Sequence, residues 1–413
     1  MKKILLGFMC LVFTVFTLTA CSRHQLKTNA IELSKSFSRN TTETVELNEQ
    51  FKTTMTEFSM KLFKGIMTKD TENDLVSFLS AAICLAMIAN GADGTTKLQM
   101  EQALGMDIEM LNKCLYAYTS SLYNSDDCKL NLANSIWFRN EENRLHVNDE
   151  FLQINANWYN AQVYAAPFDD STTKDINNWC KYYTDGMIEK MIDTINADAV
   201  MYLINALSFD AKWANKYEEN DVFDGVFTNY DGKKKNVKML SSKESVYFSS
   251  DKVEGFAKNY SGDKYSFMAL LPNKGIDIYD YINSLDGNEW LNLWNTRKST
   301  PLSAIMPEFT YSSSMKLNDV LKSMGMTDMF EDYADFSKLG YSEISNLCIS
   351  DVSQKTFIQV DRNGTKAAAI TWGTAPDSAI EEKIRIVLNR PFIYSIVDNA
   401  TGLPIFIGAV TNL

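Results

Sequence analysis

Residues 363 to 389 read NGTKAAAITWGTAPDSAIEEKIRIVLN, a Gly-, Thr- and Ala-rich segment set between two β-forming runs near the carboxyl end. Its composition fits either a solvated linker or a strand. Gly364 interrupts the run Phe357 to Val360, and beyond it Thr365, Ala367, Ala369 and Thr371 recur at every second position, the side-chain period of a β-strand. Those four side chains share one face, and all are small. Such a face can enter between existing strands, where bulky residues cost about 1–3 kcal/mol each. Lys366 falls on the opposite face. The sequence therefore permits insertion of this segment into a sheet.

The residues after this segment narrow the choice. Asn389-Arg390-Pro391-Phe392 leads into an aliphatic hairpin with Asp398-Asn399-Ala400-Thr401-Gly402 at its turn, and the chain ends FIGAVTNL. Together with the hinge Gly364, Thr365, Lys366, Ala367, Ala368, Ala369, Ile370 and Thr371, these residues resemble the reactive-loop hinge and closing strands of the serpins. The resemblance runs back in the family's order to about residue 45. Asn73 to Met106 resembles a serine-containing helix start followed by a Gly-Ala-x-Gly-x-Thr turn. Residues 130–138 and 201–213 are similar to paired Asn-Ala/Ser-aromatic strands, 176–188 to the helix between them and 267–273 to a further sheet strand. Residues 306–330 with 334–337 resemble the Pro-x-Phe strand and its following helix. The resemblance implies an α+β fold of three β-sheets and about eight or nine helices. It also implies an exposed reactive-centre loop over residues 363–388, and a sheet-opening region at Ser77, Ser80, Asn205, Trp213 and Gln354.

The first 21 residues read as a targeting segment: Lys2-Lys3, the apolar run Ile4 to Leu18, then Leu-Thr-Ala-Cys ending at Cys21. The run is short for a transmembrane helix and resembles a bacterial lipoprotein signal, which implies lipidation of Cys21 and attachment to a membrane of the cell envelope outside the cytoplasm. Residues 22–44 are polar and poor in aromatics, as expected of a flexible tether. Residues 45–413 show no Pro/Gly/Ser-rich break or internal repeat, and read as one domain. The net charge of −12 argues against nucleic acid as a partner. Past Cys21 the chain keeps Cys84, Cys114, Cys128, Cys180 and Cys348, an odd number without metal spacing. They read as buried small hydrophobes, with a Cys114–Cys128 disulfide as the alternative in an oxidising compartment.

Enzymatic signatures are sparse. The two histidines are His24, in the tether, and His146, which has no nucleophile motif nearby and reads as structural. Ser313 and Lys316 fit a Ser-x-x-Lys spacing, but the companion motifs of such enzymes are missing. Adjacent carboxylates such as Glu141-Glu142 read as solvated surface, and no cofactor or metal motif emerges. No catalytic residue is assigned.

The resemblance implies an inhibitor rather than an enzyme. A target serine protease cleaves the loop and forms an acyl-enzyme, and the cut loop then inserts into the central sheet and carries the protease away before deacylation. Fourteen residues beyond Gly364, the family's usual offset places the reactive bond at Ser378-Ala379. Counting back from Asn389 gives Ile380-Glu381 instead, and Ala379-Ile380 lies between the two. These small or aliphatic residues suit elastase-like or subtilisin-like proteases rather than trypsin-like ones. Four positions depart from the family pattern. Phe78 replaces a usual Pro, Gln354 replaces a frequent His, and Arg362 and Glu308 exchange the charges of a usual Glu and Lys. The exchange implies a hinge-proximal ion pair of inverted polarity. A non-inhibitory member, serving as a carrier, chaperone-like or surface interaction protein, is the alternative. In either role the chain reads as a monomer without cofactor.

Overall fold

The computed structural model describes residues 26, 28–40, 43, 45–69, 73–122, 124–140, 145–196, 199–343, 345–365 and 384–413. Three sheets organise them. A seven-stranded sheet runs in the order β1 (Ile31–Glu32), β5 (Gln162–Ala166), β3 (Cys128–Arg139), β6 (Met201–Lys212), β15 (Gly364–Thr365), β14 (Asp351–Val360) and β12 (Phe309–Lys316). A nine-stranded sheet begins with β16 (Ile384–Val387), β11 (Lys298–Pro307), β8 (Lys234–Ser249), β9 (Val253–Asn259) and β10 (Tyr265–Pro272). It ends with β17 (Phe392–Asp398), β18 (Pro404–Val410) and β2 (Leu75–Val76), while β7 (Val222–Thr228) pairs with β8 off this path. The third sheet joins β4 (Leu145–Val147) to β13 (Gly340–Ser342).

Nine α-helices occur among the described residues: α1 (Glu49–Ile66), α2 (Phe78–Ala89), α3 (Gly94–Leu104), α4 (Ile108–Ser120), α5 (Asp149–Tyr159), α6 (Asp170–Tyr183), α7 (Ile278–Ser284), α8 (Gly287–Asn295) and α9 (Asn318–Ser323). The expected α+β class and helix number agree with this architecture. No helix of the described residues is long and apolar enough to cross a membrane.

The position of α2 is dictated by its sequence. FLSAAICLAMIA is apolar on every side, so the helix must be buried all round, and each of its residues is buried. It lies between the two large sheets, against β6 and β18. Phe78, at the helix start where the family pattern has a Pro, is 1% exposed, so the core has absorbed its ring. On the other face of the seven-stranded sheet, α6 with Ile188, Met191 and Ala199 closes a second core around Trp137, Tyr164, Trp179 and Tyr202.

The expected flexible tether is corrected over residues 28–40. β1 pairs antiparallel with β5, Ile31 opposite Ala165, and Leu33 N–H donates to the Val163 carbonyl at 2.7 Å. The buried Asp175 carboxylate accepts the Asn29 and Ala30 amides at 2.7 and 3.1 Å, and Leu26 packs on the second core. Arg39 lies over the Tyr116 ring at 4.6 Å. Polar composition misleads here because backbone hydrogen bonds, helped by a few apolar side chains such as Leu33 and Phe37, hold the segment to a sheet edge.

The five described cysteines are free thiols, and the Cys114–Cys128 alternative is not formed. Burial pushes the Cys84, Cys128 and Cys180 thiols up to about 12, so they act as small core hydrophobes. Ser313 and Lys316 lie on a strand, not a helix, an odd number of residues apart and therefore on opposite faces. Ser313 Oγ donates to Asp74, and Lys316 pairs with Asp351 at 3.0 Å. His146 stacks on Tyr341 at 4.6 Å, with Nε2 3.4 Å from Glu343.

Candidate functional site: the hinge and the central sheet

β6 and β14 are parallel neighbours that meet at only one end of the sheet, where Asp351 and Val352 stand opposite Tyr202 and Leu203. At the other end β15 is wedged between them. Its Gly364 and Thr365 face Lys212 and Ala211 on β6, and Thr365 faces Val360 on β14. β15 is antiparallel to both flanking strands. Between these two contacts, Ile204 to Phe209 of β6 and Ser353 to Gln359 of β14 carry no ladder partner on their facing edges among the described residues. Among the described residues the sheet is thus joined at one end, bridged by β15 at the other and parted between.

The start of the hinge is fixed by a tight turn. Asp361 N–H donates to the Gly364 carbonyl at 3.0 Å, and the Asp361 carboxylate accepts the amides of Asn363 and Gly364 at 2.7 and 3.3 Å, as Asp does in turns. Glycine is needed at 364 because a Cβ there would lie 2.0 Å from the Ala211 carbonyl oxygen. Trp213 anchors the turn from β6. Its backbone N–H donates to Asn363 O at 3.0 Å and its indole N–H to Asp361 O at 2.8 Å. The indole stacks on Tyr260, centroids 4.6 Å apart, and the Tyr260 hydroxyl is 2.6 Å from Thr365 Oγ1. Burial pushes the Tyr260 and Tyr217 hydroxyls well up, so both stay protonated donors.

Beneath this turn lies a buried cation that sequence reasoning missed. Lys258 is 3% exposed, pairs with Glu244 at 3.0 Å and stands 4.5 Å from the centre of the Tyr217 ring. Glu244 accepts from Ser242 at 2.7 Å, whose Oγ is 3.3 Å from the Tyr217 hydroxyl. Tyr217 N–H in turn donates to Arg362 O at 3.1 Å. Neither Lys258 nor Glu244 belongs to a motif, and only the pairing of β8 with β9 brings them together.

The remaining sheet-opening residues form one connected polar chain. Ser77 N–H donates to Gln354 Oε1 at 2.8 Å, and Gln354 Nε2 returns a bond to Ser77 O at 2.9 Å. Ser77 Oγ caps α2 through the Ser80 amide at 3.3 Å, and Ser80 Oγ donates to Asn205. Asn205 donates to Asn134, and from there the path reaches Tyr159, Asn112 and Asn90. Ser77, Ser80, Asn205 and Gln354 are all buried, and satisfied bonds of this kind are what make buried polar groups tolerable. Trp213 stands apart from them, eight residues along the chain from Asn205, and belongs with the hinge.

The expected ion pair between Arg362 and Glu308 is not made: no contact within 4.0 Å joins the two charges. Phe309 stands opposite Val360, so the next step of the ladder brings Glu308 to Asp361, one residue short of Arg362. Arg362 lies exposed at the tip of the turn and is held through its carbonyl. Of the expected hinge, Gly364 and Thr365 are placed as described. Lys366, Ala367, Ala368, Ala369, Ile370 and Thr371, the reactive-bond candidates Ser378, Ala379, Ile380 and Glu381, and the lipidation residue Cys21 lie outside the described residues. Among the described residues no cluster of three or more His, Cys, Asp or Glu is arranged to hold a metal.

Comparisons with known proteins agree with this geometry. A family model described as Serpin (serine protease inhibitor) matches residues 53–413. The crystal structure of the thermophilic serpin tengpin in its native state is 45% identical, superposes with a TM-score of 0.90, and covers 93% of this chain and 100% of that one. Its latent state, also 45% identical, superposes with 0.81, covering 90% of this chain and 100% of that one. The leukocyte elastase inhibitor of Sus scrofa is 28% identical over 385 residues, 88% of this chain and 100% of the relative.

Proposed function

Because this chain belongs to the serpin family, we propose that it is an irreversible, suicide-type inhibitor of serine proteases that traps the acyl-enzyme by inserting its cleaved loop between β6 and β14. The observation that carries this reading is the parted sheet with the first hinge residues already seated at one end. Continuing the register of β15 places Ala367 between Phe209 and Ile358, Ala369 between Leu207 and Thr356, and Thr371 between Asn205 and Gln354. Small side chains thus meet the apolar stretch, and the hydroxyl of Thr371 arrives at the polar chain. Each new backbone bond adds about 0.5–1.5 kcal/mol. Some fifteen inserted residues at ~3.3 Å each span about 50 Å, enough to carry a bound protease across the domain.

The bond attacked is Ser378-Ala379, with Ala379-Ile380 and Ile380-Glu381 as alternatives, and the targets are elastase-like or subtilisin-like enzymes. The protein works as a monomer, held by lipidated Cys21 to a membrane outside the cytoplasm. Incubation with neutrophil elastase or subtilisin gives an adduct stable in SDS. Ala369→Arg still folds and is cleaved but loses the adduct, since a charge on the inward face resists burial. A chain cut quantitatively without any adduct would leave a substrate, and an adduct undiminished in the variant would show that this face does not enter the sheet. Cys21→Ala moves the protein from the washed membrane pellet to the soluble fraction, and retention in the pellet sinks the anchor.

A further inference from the structure

The β7–β8 turn, the loop between β10 and α7 and the link from β16 to β17 border an open cleft of 290 Å³ away from the hinge. Its walls include Pro272, Ile276 and Pro391, and two cations open onto it, Arg390 and Lys274. Arg390 is half-buried, and its Nη2 donates to the Pro272 carbonyl at 2.6 Å, which fixes the guanidinium plane. A guanidinium carries five N–H donors, and no carboxylate of the described residues lies within 4.0 Å to take the others. Burial pulls Arg390 below the ordinary arginine range, and Glu254 opposes that only from a distance. Lys274 is exposed and likewise enters no ion pair among the described residues.

The acid inside the cleft is already committed. Asp277 Oδ1 accepts the Tyr279 and Asp280 amides at 2.9 and 3.3 Å, and Oδ2 accepts the Tyr230 hydroxyl at 2.9 Å. Two cations therefore share the cleft with one carboxylate whose oxygens are taken by neutral donors, which leaves a surplus of one positive charge there, in a chain whose net charge is −12. We propose that this cleft binds a small organic acid, its carboxylate held by Arg390 and Lys274 and its apolar body against Pro272, Ile276 and Pro391. A carboxylate matches the planar fork of a guanidinium, and the volume stands at the lower end of small-ligand pockets. Apolar walls favour an aliphatic or aromatic acid over an inorganic anion. The bound acid would bridge the turn and the link, already joined by Thr228 N–H to Asn389 O at 2.8 Å, and so stabilise the fold by mass action.

Octanoate titrated into the full chain, followed by calorimetry and by the thermal midpoint, tests the site, with inorganic phosphate as the purely ionic probe. Saturable one-to-one binding of octanoate and a rising midpoint are expected, with phosphate markedly weaker. Arg390→Gln weakens octanoate by about tenfold or more, the loss expected for a charge-assisted pair, and Lys274→Gln by a smaller factor. Lys274 is exposed, so its variant folds even if the other does not. Absence of saturable binding, phosphate binding as tightly as octanoate, or an octanoate affinity unchanged by Lys274→Gln would overturn the assignment.

Discussion

Asp74 shows how a single carboxyl reports on the junction between the two large sheets. It accepts the Ser313 hydroxyl, and its backbone carbonyl takes the Tyr311 hydroxyl at 3.2 Å. Burial raises its pKa above the usual carboxylate value, and the Ser313 bond offsets only part of that. A raised folded-state pKa means that the stabilisation this group supplies is fully present below the unfolded value and is lost as pH rises through the folded one. Asp74→Asn keeps an acceptor for Ser313 without the charge. Its melting temperature is expected to match the parent's in acid and to exceed it increasingly toward neutral pH. A difference independent of pH would show that the Asp74 charge is not the strained element. Other residues were legible in the sequence to different depths. Gly364 stands out in the sequence only as a break in a run and a hinge residue. The reason for glycine, the Ala211 carbonyl, lies 153 positions away in the chain and only pairing reveals it. Exchanged charges suggest an Arg362–Glu308 pair, and the register defeats it by one residue.

Among the elements, β1 is the one that composition hid. Motifs order the chain well where side chains carry the signal, as in the all-apolar α2 or the Ser77 cap. They fail where a polar segment is held by its own amides. Asp175 is the test of that segment, because it gathers the Asn29 and Ala30 amides from a buried position. Asp175→Ala removes hydrogen bonds to a charged group, each contributing about 1.5–3 kcal/mol, and is expected to release residues 28–33 from β5. Hydrogen exchange at the Asn29, Ala30 and Leu33 amides should accelerate while the β3 and β6 amides stay protected. Unchanged protection at those three amides would mean that β1 is held by other contacts. The polar chain from Gln354 to Asn90 was legible only in its first four members. Asn134, Tyr159 and Asn112 join it through tertiary packing rather than through any local pattern.

For the whole molecule, the parted sheet implies a fold that gains stability when its loop is cut. Cleavage within residues 377–381 is expected to raise the thermal midpoint substantially, since the freed strand can fill the edges of β6 and β14. A midpoint unchanged by cleavage would remove the metastability on which trapping depends. The docking of Leu26 and residues 28–40 has a consequence of another kind, which concerns reach. If Cys21 bears a lipid, as proposed, then with Leu26 packed on the second core five peptide units would separate membrane from domain, at most about 17 Å of extended chain. A domain of this size has a radius of gyration of about 21 Å, so the leash is shorter than the body it holds. Anchored in this way, the molecule would not tumble freely. Lipidation at Cys21 would hold the domain with its second core, where Leu26 packs, close to the membrane surface.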